Sequence, residues 1–331
     1  MAATAATLFS NMAYAAKLTS GNRDKWGDIM PQRPLGKTGE NITIMGPGGA
    51  HMTYMEEKYV QPLIEKCIES GIRFFDTANV YGKGRSEELY GKYLTPKYRD
   101  EIFIMTKSHA KDAATLDEHI HTSLRRMKTD RLDLVLIHML ADKEDVDRRE
   151  SGGVFDALRK FQSDGIIRHL GFSCHTNASA ALYFMEKIKD DDFICTGQTP
   201  INPVDATNPD NSFTRMVLPE MVSRGHSHFA MKTLGGGGLL GISTVSNPDG
   251  PRPGVKAIPD KISLEENIHF VLSQPVTTWI SGMLNLDHLK ENSGYTKNFQ
   301  KISDQQKEDI LRRVTGLYTD RAVESYKKLV S

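Results

Sequence analysis

Cysteine is scarce in this chain of 331 residues: Cys67, Cys174 and Cys195 are scattered, odd in number and without CxxC spacing. That pattern offers no disulfide framework and neither a zinc nor an iron–sulfur ligand set, so no metal is expected. Long apolar runs are missing too, and without the ~18 consecutive apolar residues of a membrane span the chain has no candidate to cross a bilayer. Nor is there an excess of charge, because 42 Lys and Arg balance 42 Asp and Glu. No net field therefore directs the protein to nucleic acid or to an anionic membrane. What remains is the composition of a globular protein, 39% hydrophobic and 25% charged, long enough for one large α/β barrel or two ordinary domains.

The first residues are unlike the rest. Ala2 to Ala16 is Ala-rich with Leu8, Phe9, Met12 and Tyr14, and Ala13-Tyr14-Ala15 fits a small-x-small cleavage site. A basic front is lacking. The segment reads either as the tail of an export signal or as a plain N-terminal extension, so residues 1–30 are set aside and 31–331 are taken as one domain. A cytoplasmic location is the default, with periplasmic export as the alternative.

From Arg33 onward short apolar runs alternate with amphipathic stretches. The runs are Ile42–Met45, Arg73–Phe75, Glu101–Lys107, Leu132–His138, Ile167–Ser173, Phe193–Gln198, Ser227–Met231 and Val276–Ser281. Between them lie helical patterns, among them 56–70, whose stripe of Val60, Leu63, Ile64 and Ile68 includes Cys67 as a small core hydrophobe. Others run from Thr115 to Met127, Val154 to Phe161, Ala178 to Ile188, Phe213 to Val222 and Leu264 to Leu272, with a charged helical tail from Asp304. Continuous apolar strands separated by helices are buried on both faces, which favours a (β/α)8 TIM barrel over its competitor, an open doubly wound sheet. Nothing between Arg33 and Ser303 reads as an interdomain linker, and the Pro/Gly-rich insertion at 246–259 is expected to be a loop on the active-site side.

In such a barrel all strands end on one face. Asp76, Lys107 and His138 stand at strand ends one βα unit apart, with Tyr81 in the loop beyond Asp76. A phenol with an ordinary pKa of about 10 is a poor proton donor near neutrality. A nearby ammonium is expected to lower that pKa, a carboxylate to hold the ammonium, and a histidine to orient a carbonyl or relay its proton. Each residue alone is weak evidence, since strand-end Asp, Lys and His are commonly structural. The four together suggest proton transfer.

Phe74-Phe75-Asp76-Thr77-Ala78-Asn79-Val80-Tyr81-Gly82 with Ser86-Glu87 strongly resembles the aldo-keto reductase signature. So do Lys107 at its strand end, Leu132–His138, the Arg33–Gly39 opening and Gly165–Ser173. The resemblance covers about residues 33–295. It implies a (β/α)8 fold and reversible NAD(P)H-dependent carbonyl reduction, with Tyr81 as general acid, Lys107 and Asp76 tuning it, and His138 orienting the carbonyl. Ser173 and Gln198 match the pair that holds the nicotinamide carboxamide, while Cys174 takes the place of the family's asparagine. Met231 replaces a stacking tyrosine, and Lys232, Leu234 and Gly235 match the pyrophosphate loop; the alternative for the Gly235–Gly238 run is a plain flexible loop. Ser281-Gly282-Met283-Leu284 with Glu291 and Asn292 matches the adenosine end. There Leu284 stands where an arginine often clamps a 2′-phosphate, a contact that an apolar side chain cannot make. Either NADPH, which the family favours, or NADH is therefore implied, with Lys290 or Lys297 as substitutes for the arginine.

The stretch Met231–Gly237 also resembles a branch that can carry a C-terminal cysteine cluster, which this chain lacks. The expected partner is a small carbonyl or alcohol, with a monomer as default. Met52, Tyr54, His109, Met139 and the 246–259 loop are the candidate pocket residues. The competing class is a cofactor-sensing regulatory subunit.

Overall fold

The computed structural model describes residues 18–240, 242–243, 252–253, 261–320 and 323–327. The Ala-rich segment 2–16 lies outside the described residues, as does all of 246–259 except Arg252–Pro253.

Eight strands form one sheet: β1 (Met45–Pro47), β2 (Phe74–Asp76), β3 (Phe103–Ser108), β4 (Leu132–Leu140), β5 (Ile167–Cys174), β6 (Thr196–Pro200), β7 (Ser227–Met231) and β8 (Thr278–Ser281). Each pairs in parallel with the next in sequence from β2 to β8, and β8 pairs with β1. A parallel bridge from Gly48 to Asp76 closes the ring. The expected (β/α)8 barrel is therefore present. Parallel pairing forces each connection to cross back over the sheet, and the intervening helices do so with their apolar faces inward. Helix α1 (Glu57–Glu69), for example, buries Val60, Leu63, Ile64, Cys67 and Ile68. Cys67 is fully buried and burial pushes its thiol far above the ordinary range, so it is inert core.

A separate, smaller apolar cluster fills the lower barrel: Leu35, Ile42, Phe74, Phe103, Met105, Leu134, Leu136 and Phe229. Side chains two apart on a strand share a face. The residues following these plugs at that spacing are Asp76, Lys107 and His138, so one alternation gives an apolar floor and a polar top. The packing is tight: a Cβ on Gly46 would stand 2.3 Å from the Phe74 ring.

Two local expectations are corrected. The run Ile42–Met45 is not one barrel strand. Asn41–Thr43 pairs antiparallel with Gln32–Pro34 as a hairpin that brings Leu35 and Ile42 to the barrel floor, and β1 starts only at Met45. A continuous apolar run carries no mark of where the chain changes sheet. The stretch Phe213–Val222 is also not one α-helix: Phe213–Val217 is a π turn, followed by a helix from Leu218 to Ser223. Pro219 has no N–H to give back to the preceding turn, and the chain meets it with a wider register.

Residues ahead of the barrel pack on it, with Asp24 of the short Arg23–Asp24/Gly27–Asp28 pair 2.6 Å from Arg73 and Met30 in the core. After β7, Ile242–Ser243 pairs antiparallel with Arg252–Pro253. Among the described residues no helix is long and apolar enough to cross a membrane, and no group of His, Cys, Asp and Glu is arranged to hold a metal.

Candidate active site

Asp76 ends β2, Lys107 lies one residue from the end of β3, and His138 lies within an irregularity in β4 between Ile137 and Leu140. All three are at most 2% exposed. Tyr81 opens a turn in which Gly82 and Lys83 both adopt left-handed backbone, and this turn brings its ring back over the barrel mouth. The Lys107 ammonium is in direct contact with the Asp76 carboxylate, donates to the Thr77 carbonyl at 2.8 Å and reaches the Tyr81 hydroxyl at 3.1 Å. The His138 ring stands edge-on to Tyr81, 5.7 Å between centroids. Neither His138 nitrogen has a hydrogen-bond partner among the described residues, though both are shielded from solvent. The predicted four are thus brought together.

Burial opposes the Lys107 charge, yet the adjacent Asp76 and Tyr81 oxygens hold its pKa above the ordinary value. Burial pushes the Asp76 carboxyl upward, against the pull of Lys107. The expectation for Tyr81 is corrected in sign. Burial raises the phenol's pKa and the Asp76 charge adds to the rise, so the downward pull of Lys107 does not prevail. At neutral pH Tyr81 is therefore a protonated donor. His138 is held far below its ordinary pKa by burial, with Lys107 and His175 adding repulsion, so it is a neutral imidazole.

Above these residues opens a cleft of about 250 Å³. Of the candidate site residues, Asp76, Tyr81, Gln198, Met231, Lys232, Leu234, Gly282, Glu291 and Asn292 line it. Ser173, Cys174, Gly235 and Ser281 are buried outside its lining. Ser173 Oγ accepts from the Met139 N–H at 2.9 Å, Cys174 Sγ donates to the Leu140 and Asn177 carbonyls, and Ser281 Oγ accepts from Asn292 Nδ2 at 2.8 Å. Of the pocket candidates, Met52 is core, whereas Tyr54 and Met139 are about half exposed and His109 is exposed. Lys290 and Lys297 are exposed and off the cleft wall.

Several lining residues escaped the sequence reading. His51, in the turn after β1, lines the cleft, and burial lowers its pKa to about 4. A Cβ on Gly282 would stand 2.3 Å from that ring, so the glycine is there to admit it. His175, Thr233, Trp279 and His288 also contribute. His175 lies two residues beyond Ser173, and counting every polar residue just past a strand end as a candidate would have found it.

The wall fits an extended, anionic, amide-bearing ligand. Gln198 Oε1, His175 Nε2 and Thr233 Oγ1 are shielded from solvent and have no hydrogen-bond partner among the described residues. Lys232 has no carboxylate partner there, and burial lowers its pKa to about 8. Gly236 and Gly237 line the cleft beside it, the Gly237 N–H closing a turn on the Leu234 carbonyl at 2.8 Å. Among the described residues, three of the four non-glycine residues with positive φ, Lys83, Met139 and Lys232, adjoin this mouth. Such backbone costs of order ~1–3 kcal/mol each and persists where surrounding contacts enforce it.

The model of the aldo/keto reductase family matches residues 44–312. Among curated relatives, the uncharacterized oxidoreductase YqkF of Bacillus subtilis is 28% identical over 156 residues, 44% of this chain and 49% of its own length. The aldo-keto reductase yakc [NADP(+)] of Schizosaccharomyces pombe is 27% identical over 175 residues, 46% of this chain and 49% of its own length. The alignments thus span about half of each relative. In fold, the holo form of aldo-keto reductase AKR11C1 from Bacillus halodurans superposes with a TM-score of 0.69 at 19% identity, covering 88% of this chain and 99% of that one. With a family match over most of the chain and a barrel that brings these motifs to one mouth, this protein belongs to the aldo/keto reductase family.

Proposed function

We propose that the chain is a nicotinamide-dependent oxidoreductase that reversibly reduces an aldehyde or ketone to an alcohol. The observation that carries this reading is the Tyr81 hydroxyl 3.1 Å from the Lys107 ammonium, beside a neutral His138 whose nitrogens lack partners among the described residues. A bound dinucleotide supplies or accepts the hydride. Tyr81 gives its proton to the carbonyl oxygen as charge develops there, and Lys107 stabilises the resulting phenolate. Asp76 keeps Lys107 charged and aimed. His138, being neutral, donates one N–H to the same oxygen and fixes the carbonyl's orientation. Gln198 and His175 offer an acceptor and a ring nitrogen to the carboxamide, Lys232 and the glycines hold the pyrophosphate, and Glu291 and Asn292 hold the adenosine.

We read the adenosine end as suited to NADH. Leu284 lines it, no guanidinium does among the described residues, and the lining there includes the Glu291 carboxylate. A carboxylate suits ribose hydroxyls and repels a 2′-phosphate. The partner required is a small carbonyl or alcohol, and a monomeric cytoplasmic enzyme meets that need. The test is titration of purified protein with NADH and NADPH, following quenching of Trp279 on the cleft wall. Tighter binding of NADH supports both parts. Tighter NADPH binding removes the NADH assignment, and binding of neither removes the function.

A further inference from the structure

Residues Val323–Lys327 lie against the Lys232–Leu239 loop and are not part of the cleft lining. A Cβ on Gly235 would stand 2.6 Å from the Val323 carbonyl oxygen, and Lys232 Nζ lies 5.7 Å from the centre of the Tyr326 ring. Asn202, in the loop after β6, is the common joint. Its side-chain nitrogen donates to the Lys232 carbonyl at 3.2 Å and to Glu324 at 3.0 Å, and stands 3.2 Å from the Tyr326 hydroxyl. Tyr326 in turn donates to Glu324 at 2.5 Å. Lys327 closes the cluster on Asp205 at 2.5 Å, on Glu324 at 2.8 Å and on the Asn211 carbonyl at 3.1 Å.

Three ionisable groups are spent here with side-chain exposures of 7% for Lys327, 2% for Glu324 and 0% for Asp205. Burying such groups costs several kcal/mol per ion, and the pairing pays back only while the geometry holds. The segment is therefore fixed as a unit or released as a unit. Whatever position it takes is passed to Lys232, whose backbone is left-handed (φ 53°) and whose carbonyl accepts from Asn202 at 3.2 Å as well as from the Gly235 N–H at 2.7 Å.

We propose that Asn202, Glu324, Tyr326 and Lys327 are positioning residues for the phosphate loop, forming a C-terminal clasp that sets how long a dinucleotide is retained. The inference rests on the dinucleotide-binding reading above. With the clasp seated, Lys232 and the Gly236–Gly237 backbone stay directed into the cleft. With it detached, the loop loses its backing and the ligand leaves faster, while the adenosine end, held by Glu291 and Asn292 on another helix, is unaffected.

The test compares the full chain, a chain ended at Asp320 and the double substitution E324Q/K327M. Each is preloaded with NADH or NADPH, whichever binds the full chain tighter, and chased with excess oxidised cofactor in a stopped-flow fluorimeter. AMP affinity and the thermal midpoint are measured in parallel. The expected result is release faster by about tenfold or more in both variants, the range in which two coupled sites act on one another, with AMP affinity unchanged. Release at the full-chain rate overturns the proposal, and so does an equal loss of AMP affinity, which marks general loosening. If the shortened chain does not fold, the double substitution decides alone. Failure of the full chain to bind either dinucleotide removes the functional reading and this inference together, whereas binding with unchanged release removes only this inference.

Discussion

The guanidinium of Arg126 donates to the backbone carbonyl of Asn79 at 3.2 Å, two residues before Tyr81. The same group pairs with the fully buried Glu87 at 3.3 Å, and Glu87 accepts from Thr106 at 2.7 Å, next to Lys107. One helix residue thus ties the loop bearing the phenol to the strand bearing the ammonium. Positions adjacent to a catalytic pair matter because small displacements are costly in rate: about 1 Å can cost ~100-fold. Arg126→Gln keeps a donor but loses the charge and the fork. It is expected to lower kcat by about 10- to 100-fold and leave dinucleotide affinity unchanged. Weakened dinucleotide binding with kcat intact would place Arg126 outside the control of Tyr81.

Tyr81→Phe removes one oxygen and keeps the ring that packs beside His138 and Lys107. Turnover is expected to fall by about 100- to 10,000-fold, the usual share of a positioned general acid, with dinucleotide affinity preserved. Steady-state rates beside a fluorescence titration check both halves. A variant that keeps most of its turnover would take Tyr81 out of the mechanism.

The barrel and its four converging residues were legible because they depend on period and order alone. Strands such as β4 are continuous apolar runs, and strand-end Asp76, Lys107 and His138 recur one βα unit apart. The rest depends on three-dimensional neighbours. Nothing in Ile42–Met45 marks the point where the chain leaves the floor hairpin for β1. Cys174 falls at the matched position but turns its sulfur to the Leu140 and Asn177 carbonyls, leaving His175 on the wall. The pKa of Tyr81 was misjudged because neighbouring charges can be read from sequence, whereas the depth of burial that outweighs Lys107 cannot. His51 became a site residue only because Gly282, far along the chain, makes room for it.

Stability should decline with acid well before the carboxylates titrate. Burial lowers the pKa of His51 to about 4 and that of His228 to about 3, against about 6.5 in the unfolded chain. A histidine that resists protonation when folded lets the unfolded state bind the extra proton. Its contribution is complete above pH 6.5, falls as pH drops below that value, and is gone below the folded pKa. Each such group contributes a slope of about 1.4 kcal/mol per pH unit in that window. Depressed carboxylates such as Asp24 and Glu40 lose their contribution only at lower pH, below about 4. His228 is fully buried with one nitrogen on Thr199 Oγ1 at 2.8 Å. In urea denaturation between pH 4 and 6.5, His228→Gln is expected to flatten the slope by about one proton. An unchanged slope would mean that His228 is protonated in the folded protein.

Lys232 gives a signal of dinucleotide binding that does not depend on turnover. Burial brings its pKa down to about 8 in the free protein, with Asp76 too weak a counterweight and Lys107 adding repulsion. A pyrophosphate beside the ammonium favours the charged form and raises that pKa. Binding should therefore take up protons, close to none at pH 6.5 and approaching one as pH rises past 8, and affinity should fall over the same interval. Calorimetric titrations with NADH in buffers of different ionisation enthalpy measure the uptake directly. Lys232→Met is expected to abolish it and to remove the pH dependence of affinity above pH 8. Uptake that persists in the variant would assign the proton to another group and take Lys232 off the phosphates, since among the described residues no other lysine or arginine lines that part of the wall.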